Sequence, residues 1–271
     1  RTNTRRAVEH SEKYVPTVDE EQSDTASLFI SPPMKLIVIT SPHPVPYEAQ
    51  RIRELFDCGI DILHLRKPGA SAADCARLLD ALPGECLRRI VVHDHFTLCR
   101  DYGLGGIHLN RRNPSVPPFI AAARCGKSAA CGFQTIDRSD QNHAQGSDTR
   151  PATIPTVSAS CHSIAEAAAK KADADYVFLS PIFDSISKQG YQAAYSDDAL
   201  SEAADGGIID SRVIALGGIT AERMPMLRRW HFGGAAFLGD VWNRAEQDDF
   251  CSHVRPVSYT HLRAHETTLH L

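Results

Sequence analysis

The sequence predicts a single-domain (β/α)₈ TIM barrel, the α/β fold in which eight parallel strands alternate with helices. From Met34 onward, short β-branched runs alternate with helical stretches. The runs are almost wholly apolar, as expected for parallel strands that helices cover on the outside. An open doubly wound sheet shows the same alternation, but eight runs over about 210 residues favour the closed barrel.

The predicted strands are the runs richest in apolar and β-branched residues: Leu36–Ile39, Ile60–Leu65, Ile90–Val92, Gly106–Leu109, Thr156–Ser158, Tyr176–Leu179, Val213–Leu216 and Ala235–Leu238. Helical spacing between them predicts helices that include Pro46–Cys58, Ala72–Ala81, Ile164–Lys171 and Ala221–Trp230. Ser71 and Thr220 stand where an N-cap belongs, because a hydroxyl there can accept a hydrogen bond from the first helical turn.

The flanks and one internal segment depart from this pattern. Residues 1–33 are polar and aperiodic, which predicts a disordered leader before a barrel domain over 34–255. Residues 256–271 are expected to be a non-native tail, since VSYTHLRAHETTLHL resembles a translated sequencing-adaptor read-through. Residues 126–153, rich in small polar side chains, predict a flexible insertion on the bottom face of the barrel.

Composition narrows the class of protein. A net charge of -4 and a pI near 6.4 argue against nucleic-acid binding. The sequence has neither a long apolar run nor a signal layout, so we expect a cytoplasmic protein without membrane contact. Its 8 cysteines form no CxxC pair, which favours reduced thiols over disulfides or zinc. Whether the chain forms a homo-oligomer is left open.

Polar residues follow the second and third predicted strands, at the end of a barrel that carries the chemistry. Alternation sends His64 and Arg66 to the same side, and the guanidinium suits a phosphate, with a rim salt bridge as the alternative. His93, Asp94 and His95 could form a histidine-bound transition-metal site. We favour Asp94 as an oxygen ligand for magnesium.

Further polar groups follow the later strands. Ser160 could simply cap a helix, whereas His162 could transfer protons near neutral pH. A thiolate nucleophile at Cys161 is disfavoured, because sequence neighbours rarely have the required geometry. Two hydroxyls and a lysine suggest an anion clamp, and glycines after the last two strands let backbone N–H groups approach a phosphate: Ser185, Ser187, Lys188, Gly217, Gly218 and Gly239.

Ordered segments of the chain resemble the thiamine phosphate synthase and TenI (thiazole tautomerase) superfamily over roughly residues 34–245. The segments that carry the resemblance are HLRKP, VVHDHFTLCRDYGLGGIHL, SCHSIAEAAAKKADADYVFLSPIFDSISKQG and ALGGIT. It implies a transferase of thiamine biosynthesis that uses Mg²⁺. A hydroxymethylpyrimidine diphosphate loses diphosphate, and a thiazole phosphate captures the resulting cation through its ring nitrogen.

The resemblance also implies roles for individual residues, with Arg66, Lys188 and His162 as the catalytic set. Arg66, Ser160 and Lys188 would face the diphosphate, and His64 and His93 would lie beside the pyrimidine ring. Asp94 would bind magnesium, with Asn113 at the position of a second ligand. The thiazole phosphate would be held by Ser185, Ser187, Gly218, Leu238 and Gly239.

Departures from the family pattern leave the exact reaction open. The synthase usually has glutamine at His64, lysine at Pro68, asparagine at His93 and a second magnesium aspartate at Asn113. Lys67 would not supply the missing cation, because it should point to the opposite side of the strand. His64 and His162 favour a tautomerase, whereas Asp94 and the Ser-x-Ser-Lys loop favour a synthase, which we predict. A catalytically silent ligand-binding barrel and an unrelated phosphate-binding barrel enzyme are the alternatives.

Overall fold

Eight parallel strands close into a barrel in the order β1 to β8, with β8 pairing back to β1, which confirms the predicted fold. The computed structural model describes residues 33–125, 154–184, 193–247, 250 and 254. The strands are β1 Lys35–Ile39, β2 Ile62–Leu65, β3 Ile90–Val92, β4 Gly106–Leu109, β5 Thr156–Cys161, β6 Tyr176–Leu179, β7 Val213–Leu216 and β8 Gly234–Phe237.

Helices follow the strands on the outside of the barrel. They are α1 Glu48–Asp57, α2 Ala72–Asp80, α3 Gly84–Leu87, α4 Thr97–Tyr102, α5 Pro118–Arg124, α6 Ile164–Lys170, α7 Asp197–Asp205, α8 Met224–Arg229 and α9 Gly239–Trp242. Ser71 caps α2 through a reciprocal capping box with Asp74, as its position predicts. Thr220 precedes a 3₁₀ turn, Ala221–Arg223, and its side chain makes no capping hydrogen bond.

The apolar core has two layers, because alternate residues of each strand face inward and outward. The outer layer packs between the strands and helices such as α1, which buries Ile52 and Leu55. The inner layer fills the barrel and contains Ile37, Ile39, Tyr176, Phe178, Ile214 and Ala236. Layers of side chains therefore close the barrel, so that ligands can enter only at its ends.

The end of β2 shows how alternation positions the polar side chains. His64 points into the barrel and is fully buried, and Arg66 borders the cavity above it. Lys67 points the other way, as predicted, and its ammonium donates to Glu48 Oε2 at 2.7 Å and to the Ser41 carbonyl at 2.9 Å. Lys67 therefore ties the loop after β1 to the start of α1.

Several predictions fall outside the described residues: the leader up to residue 32, the tail and the whole insertion, with Cys131 and Cys251. The domain limits therefore stay predictions. The cysteines that the structure does describe are all free, and all but Cys125 are buried, as expected for reduced thiols. Within the described ranges, no helix is long and apolar enough to cross a membrane.

Candidate active site at the barrel mouth

A cavity opens at the carboxyl ends of the strands, where barrels of this kind carry their chemistry. It brings together residues that follow seven of the eight strands, β2 to β8. Those that the sequence singles out are Arg66, His93, Ser160, His162, Gly217 and Leu238.

A chain of buried hydrogen bonds supports His93 from below. His64 Nδ1 lies 2.9 Å from His93 Nε2, and His64 Nε2 lies 2.7 Å from the Tyr176 hydroxyl. Burial lowers the pKa of both histidines well below the ordinary value, so the rings are neutral. A neutral imidazole has one N–H, so the donors in this series of hydrogen bonds must all point in the same direction. His64 thus acts on the cavity through the orientation of His93.

His108 lies beside this chain and is held by two serines. Its Nδ1 and Nε2 each lie 2.8 Å from a hydroxyl, that of Ser158 and that of Ser160. The ring stacks on His93 with centroids 4.2 Å apart. Burial, and then the charges of Lys170 and Arg66, lower the pKa of His108 to about 3. Ser160 is therefore oriented by a histidine that stays neutral.

We call His64, His93 and His108 the histidine floor. One ring nitrogen of each histidine lies within 4.8 Å of the other two. Three imidazoles at this spacing are a donor set that a transition metal could use. Both nitrogens of His64 and both of His108 are already hydrogen-bonded to side chains, however. We therefore interpret the floor as a hydrogen-bonded surface under the cavity. The His93-Asp94-His95 alternative does not form, since His95 Nε2 turns away to the Ala70 carbonyl.

Arg66 lines the cavity at the end of β2, and Asp94 follows His93 at the end of β3, where it contacts Arg112. The Arg66 guanidinium has no hydrogen bond or ion pair with any residue in the described ranges. Burial and the nearby charge of Arg112 lower its pKa, and Asp94 opposes this. Because the side chain is held among other charges yet unpaired, it is available to an anion.

Asp94 is engaged on both of its oxygens. Arg112 Nη2 donates to Oδ1 at 3.1 Å and to Oδ2 at 2.9 Å, and Asn113 Nδ2 donates to Oδ1 at 2.8 Å. The Arg112 backbone N–H donates to Asn110 Oδ1, and the Asn110 amide donates to the His93 carbonyl. The turn after β4 is thereby fixed against the end of β3, which holds Arg112 over the mouth.

His162 lies at the end of β5 with an exposed ring that borders the cavity. Its Nδ1 lies 3.4 Å from the Ser180 carbonyl, which can only accept. The Ser180 hydroxyl lies 3.3 Å from the same nitrogen and can donate to it, so Ser180 can hold Nδ1 in either tautomer, and Nε2 faces no partner within the described ranges. The neighbouring Cys161 is buried, and burial raises the pKa of its thiol to about 11, against a nucleophilic role.

Beside β7 and β8 the cavity is lined by Leu216, Gly217 and Leu238, and the Arg223 guanidinium donates to the Gly218 carbonyl at 2.6 Å. Gly218 has φ +62°, and a Cβ there would collide with the Asp184 carbonyl, so only glycine fits. Leu238 lines the cavity immediately before α9, which begins at Gly239. Ser185, Ser187 and Lys188, assigned to the same region by sequence, lie outside the described residues.

Sequence reasoning missed three of these groups. Tyr176 shares the inner face of β6 with Phe178, so period-two alternation could have placed its hydroxyl inside the barrel. Ser158 lies two residues before Ser160 on the same face of β5. Arg112 belongs to the stretch that follows β4, and the rule that functional side chains lie at the carboxyl ends of barrel strands could have singled it out.

Comparison with known proteins gives the family context. A family model described as thiamine monophosphate synthase matches residues 140–241. The structure of thiamine phosphate pyrophosphorylase from Bacteroides thetaiotaomicron is 38% identical, with 83% of this chain and 95% of that chain covered and a TM-score of 0.63.

More distant structures share the fold alone. Thiamine phosphate pyrophosphorylase from Pyrococcus furiosus is 17% identical over 85% of this chain and 96% of its own, with a TM-score of 0.58. A geranylgeranylglyceryl phosphate synthase from Thermoplasma acidophilum is 11% identical over 84% and 93%, with a TM-score of 0.51. No curated protein sequence matches this chain at a significant level.

Proposed function

We propose that this chain, which belongs to the thiamine monophosphate synthase/TenI family, joins a hydroxymethylpyrimidine diphosphate to a thiazole phosphate and releases diphosphate. The observation that carries the proposal is the 38% identity to a thiamine phosphate pyrophosphorylase over 95% of that chain. The cavity supports it, because cationic side chains stand at one side of the mouth and backbone donors at the other.

In this reaction the bond between the pyrimidine methylene carbon and the diphosphate oxygen breaks, and its electron pair leaves with the diphosphate. The site must therefore stabilise a developing anion. Arg66 is suited to this role, because its guanidinium is unpaired among the described residues and borders the cavity. Lys188 is proposed as a second cation on the strength of the sequence resemblance.

The pyrimidine ring is proposed to lie over the histidine floor. His93 and Ser160 border the cavity, and both are fixed from below by neutral histidines, His64 and His108. Neutral hydrogen-bonding groups suit an uncharged heterocycle, whose ring nitrogens and amino group need both acceptors and donors. Their fixed orientation would hold the methylene carbon where the thiazole nitrogen attacks.

The thiazole phosphate is proposed to bind the backbone after β7 and β8, at Gly218, Leu238 and Gly239, with Ser185 and Ser187. Phosphate sites at this position recur in barrels of this architecture. The left-handed backbone at Gly218 supports the assignment, because only glycine fits this turn, and the Arg223 guanidinium, which donates to the Gly218 carbonyl at 2.6 Å, places a cation beside it.

Magnesium, which the resemblance implies, was expected at Asp94 and Asn113. The donor set does not fit. Of the two residues, only Asp94 is a carboxylate; both of its oxygens accept from Arg112 or Asn113, and Asn113 presents an N–H donor to it. A divalent cation would have to displace Arg112 and then face the Arg66 charge. We therefore derive no step through the metal.

A tautomerase that shifts a proton on the thiazole phosphate is the second candidate. One observation favours it: His162 Nε2 is unpaired within the described ranges and the ring borders the cavity, as an acid–base group requires. In a synthase the same ring would only contact the substrate.

The test supplies both substrates and follows thiamine phosphate formation in the parent chain, Arg66→Ala and His162→Ala. If the chain is a synthase, the parent should form the product and Arg66→Ala should have roughly tenfold or more lower activity. His162→Ala should keep most of the activity. His95→Ala is the matched control, because its ring turns away from the cavity. Proton exchange on the thiazole phosphate without product formation, lost in His162→Ala, would establish the tautomerase instead.

A further inference from the structure

Arg112 occupies the place where a metal ion would meet Asp94. Its Nη2 bridges both Asp94 oxygens, at 3.1 and 2.9 Å. One nitrogen makes both contacts, so Nη1 and Nε have no partner within the described part of the chain. Arginine presents five N–H donors in a planar fork. The guanidinium thus has donors left for a second anion while Asp94 holds it in place.

Asn113 is consistent with this arrangement. Its amide donates to Asp94 Oδ1 at 2.8 Å and to the His93 carbonyl at 3.1 Å. An aspartate at this position could not donate and would repel Asp94, whereas the amide holds it. Asn113 is neutral and Arg112 is a cation. This edge of the mouth therefore holds the Asp94 carboxylate against a guanidinium, and no second carboxylate stands at position 113.

The charges at this edge of the mouth favour an anion. Arg66, Arg111 and Arg112 line the cavity here and contribute three positive charges, and Asp94, which pairs with Arg112, contributes one negative charge, which leaves an excess of two. Arg66 and Arg112 line the same cavity, and the charge of Arg112 contributes to lowering the pKa of Arg66. An anion between them relieves this repulsion, whereas a divalent cation would increase it.

We propose that Arg112 and Arg66 together bind a diphosphate group directly, and that Asp94 orients Arg112 instead of binding magnesium. The identity of the ligand as a diphosphate rests on the proposed function. The binding site itself rests on the contacts of Asp94, Arg112 and Asn113. Diphosphate fits because its two phosphoryl groups can each accept from one guanidinium fork.

The experiment measures binding of inorganic diphosphate to the full chain by calorimetry, in chelator and in excess magnesium. The parent chain should bind diphosphate in chelator, and magnesium should improve its affinity by no more than roughly threefold. The affinity of Arg112→Gln for diphosphate in chelator should be lower by roughly tenfold or more, because a charge-assisted hydrogen bond is removed. Arg112→Lys keeps the charge without the fork, so its affinity should fall between the two.

Arg77→Gln is the matched control, since it removes one exposed arginine charge on α2, far from the mouth. Circular dichroism and thermal unfolding of each variant confirm that the fold is intact. Diphosphate binding that requires magnesium, or an Arg112→Gln affinity equal to that of Arg77→Gln, would overturn the proposal. Because binding is measured without turnover, a chain that binds diphosphate in chelator yet forms no thiamine phosphate would refute the proposed function alone.

Discussion

The barrel interior divides into a polar half and an apolar half. Strands β2 to β5 point histidine and serine side chains inward: His64, His93, His108, Ser158 and Ser160. The other strands, apart from the Tyr176 hydroxyl, point apolar side chains inward: Ile37, Ile39, Phe178, Ile214 and Ala236. At the mouth, Arg66 and Arg112 line the cavity above the polar half, whereas Gly217 and Leu238 line it above the apolar half, where Arg223 donates to the Gly218 carbonyl.

This division indicates two ways of holding an anion. Above the polar half, recognition depends on side chains whose charge and orientation are set by hydrogen bonds, as at Arg112 and Asp94. Above the apolar half, it depends on the space left for the backbone, as at Gly218. A substitution should therefore act through charge on one side and through steric conflict on the other.

Gly218→Ala should have the largest effect, because it combines a left-handed φ with a collision against the Asp184 carbonyl. The φ costs about 1–2 kcal/mol and overpacking about 1–3 kcal/mol more. The temperature of thermal unfolding and the affinity for thiazole phosphate should both fall. Gly103→Ala is the control, since φ is +60° but nothing lies within 4 Å of its Cβ. Equal losses in the two variants would contradict a steric role for the β7 exit.

The polar half should make the protein sensitive to acid. The pKa of His108 is about 3 in the fold, against about 6.5 in the unfolded chain. The unfolded state binds more protons between these values, so stability is complete above about pH 6.5 and falls as the pH drops. One such histidine contributes a slope of about 1.4 kcal/mol per pH unit.

Denaturant unfolding between about pH 6 and pH 4 measures this slope. His108→Gln should reduce the slope of the unfolding free energy against pH by about the contribution of one histidine, whatever the effect of the substitution on absolute stability. His95→Gln should leave it unchanged, because that ring is not buried in the floor. A His108→Gln slope equal to that of the parent would mean that His108 is not held neutral by the fold.

Arg66→Ala should weaken diphosphate binding by roughly tenfold or more, the loss of one charge-assisted hydrogen bond to phosphate. Thiazole phosphate binding should change little, because the proposed site for it lies on the apolar side. Thermal unfolding should be unchanged, since the guanidinium makes no hydrogen bond within the described ranges. Calorimetry with both ligands tests this, and equal weakening of the two would show that the halves of the mouth are not independent.

The sequence was sufficient for the fold and for the direction of many side chains, because both follow from local periodicity. Alternation along β2 correctly put His64 and Arg66 on one side of the strand and Lys67 on the other. Alternation could not reveal the hydrogen bonds that join His93, His64 and Tyr176. His64 and Tyr176 are 112 positions apart and meet only across the closed barrel. Likewise Asp94 was assigned to magnesium from its residue type, but its actual partner depends on the turn that presents Arg112.

Asn113→Asp should have the smallest effect and tests the charge balance of the polar half most directly. The new carboxylate would lose the donor to Asp94 and compete for Arg112, at a cost of about 0.2–1 kcal/mol for a partly exposed pair. Diphosphate affinity in chelator should fall a few-fold, and magnesium should then restore it. Asn113→Ala removes the amide without adding charge, so it should lose affinity without gaining a response to magnesium. If the two variants respond alike to magnesium, the second carboxylate does not decide whether this edge of the mouth holds a cation.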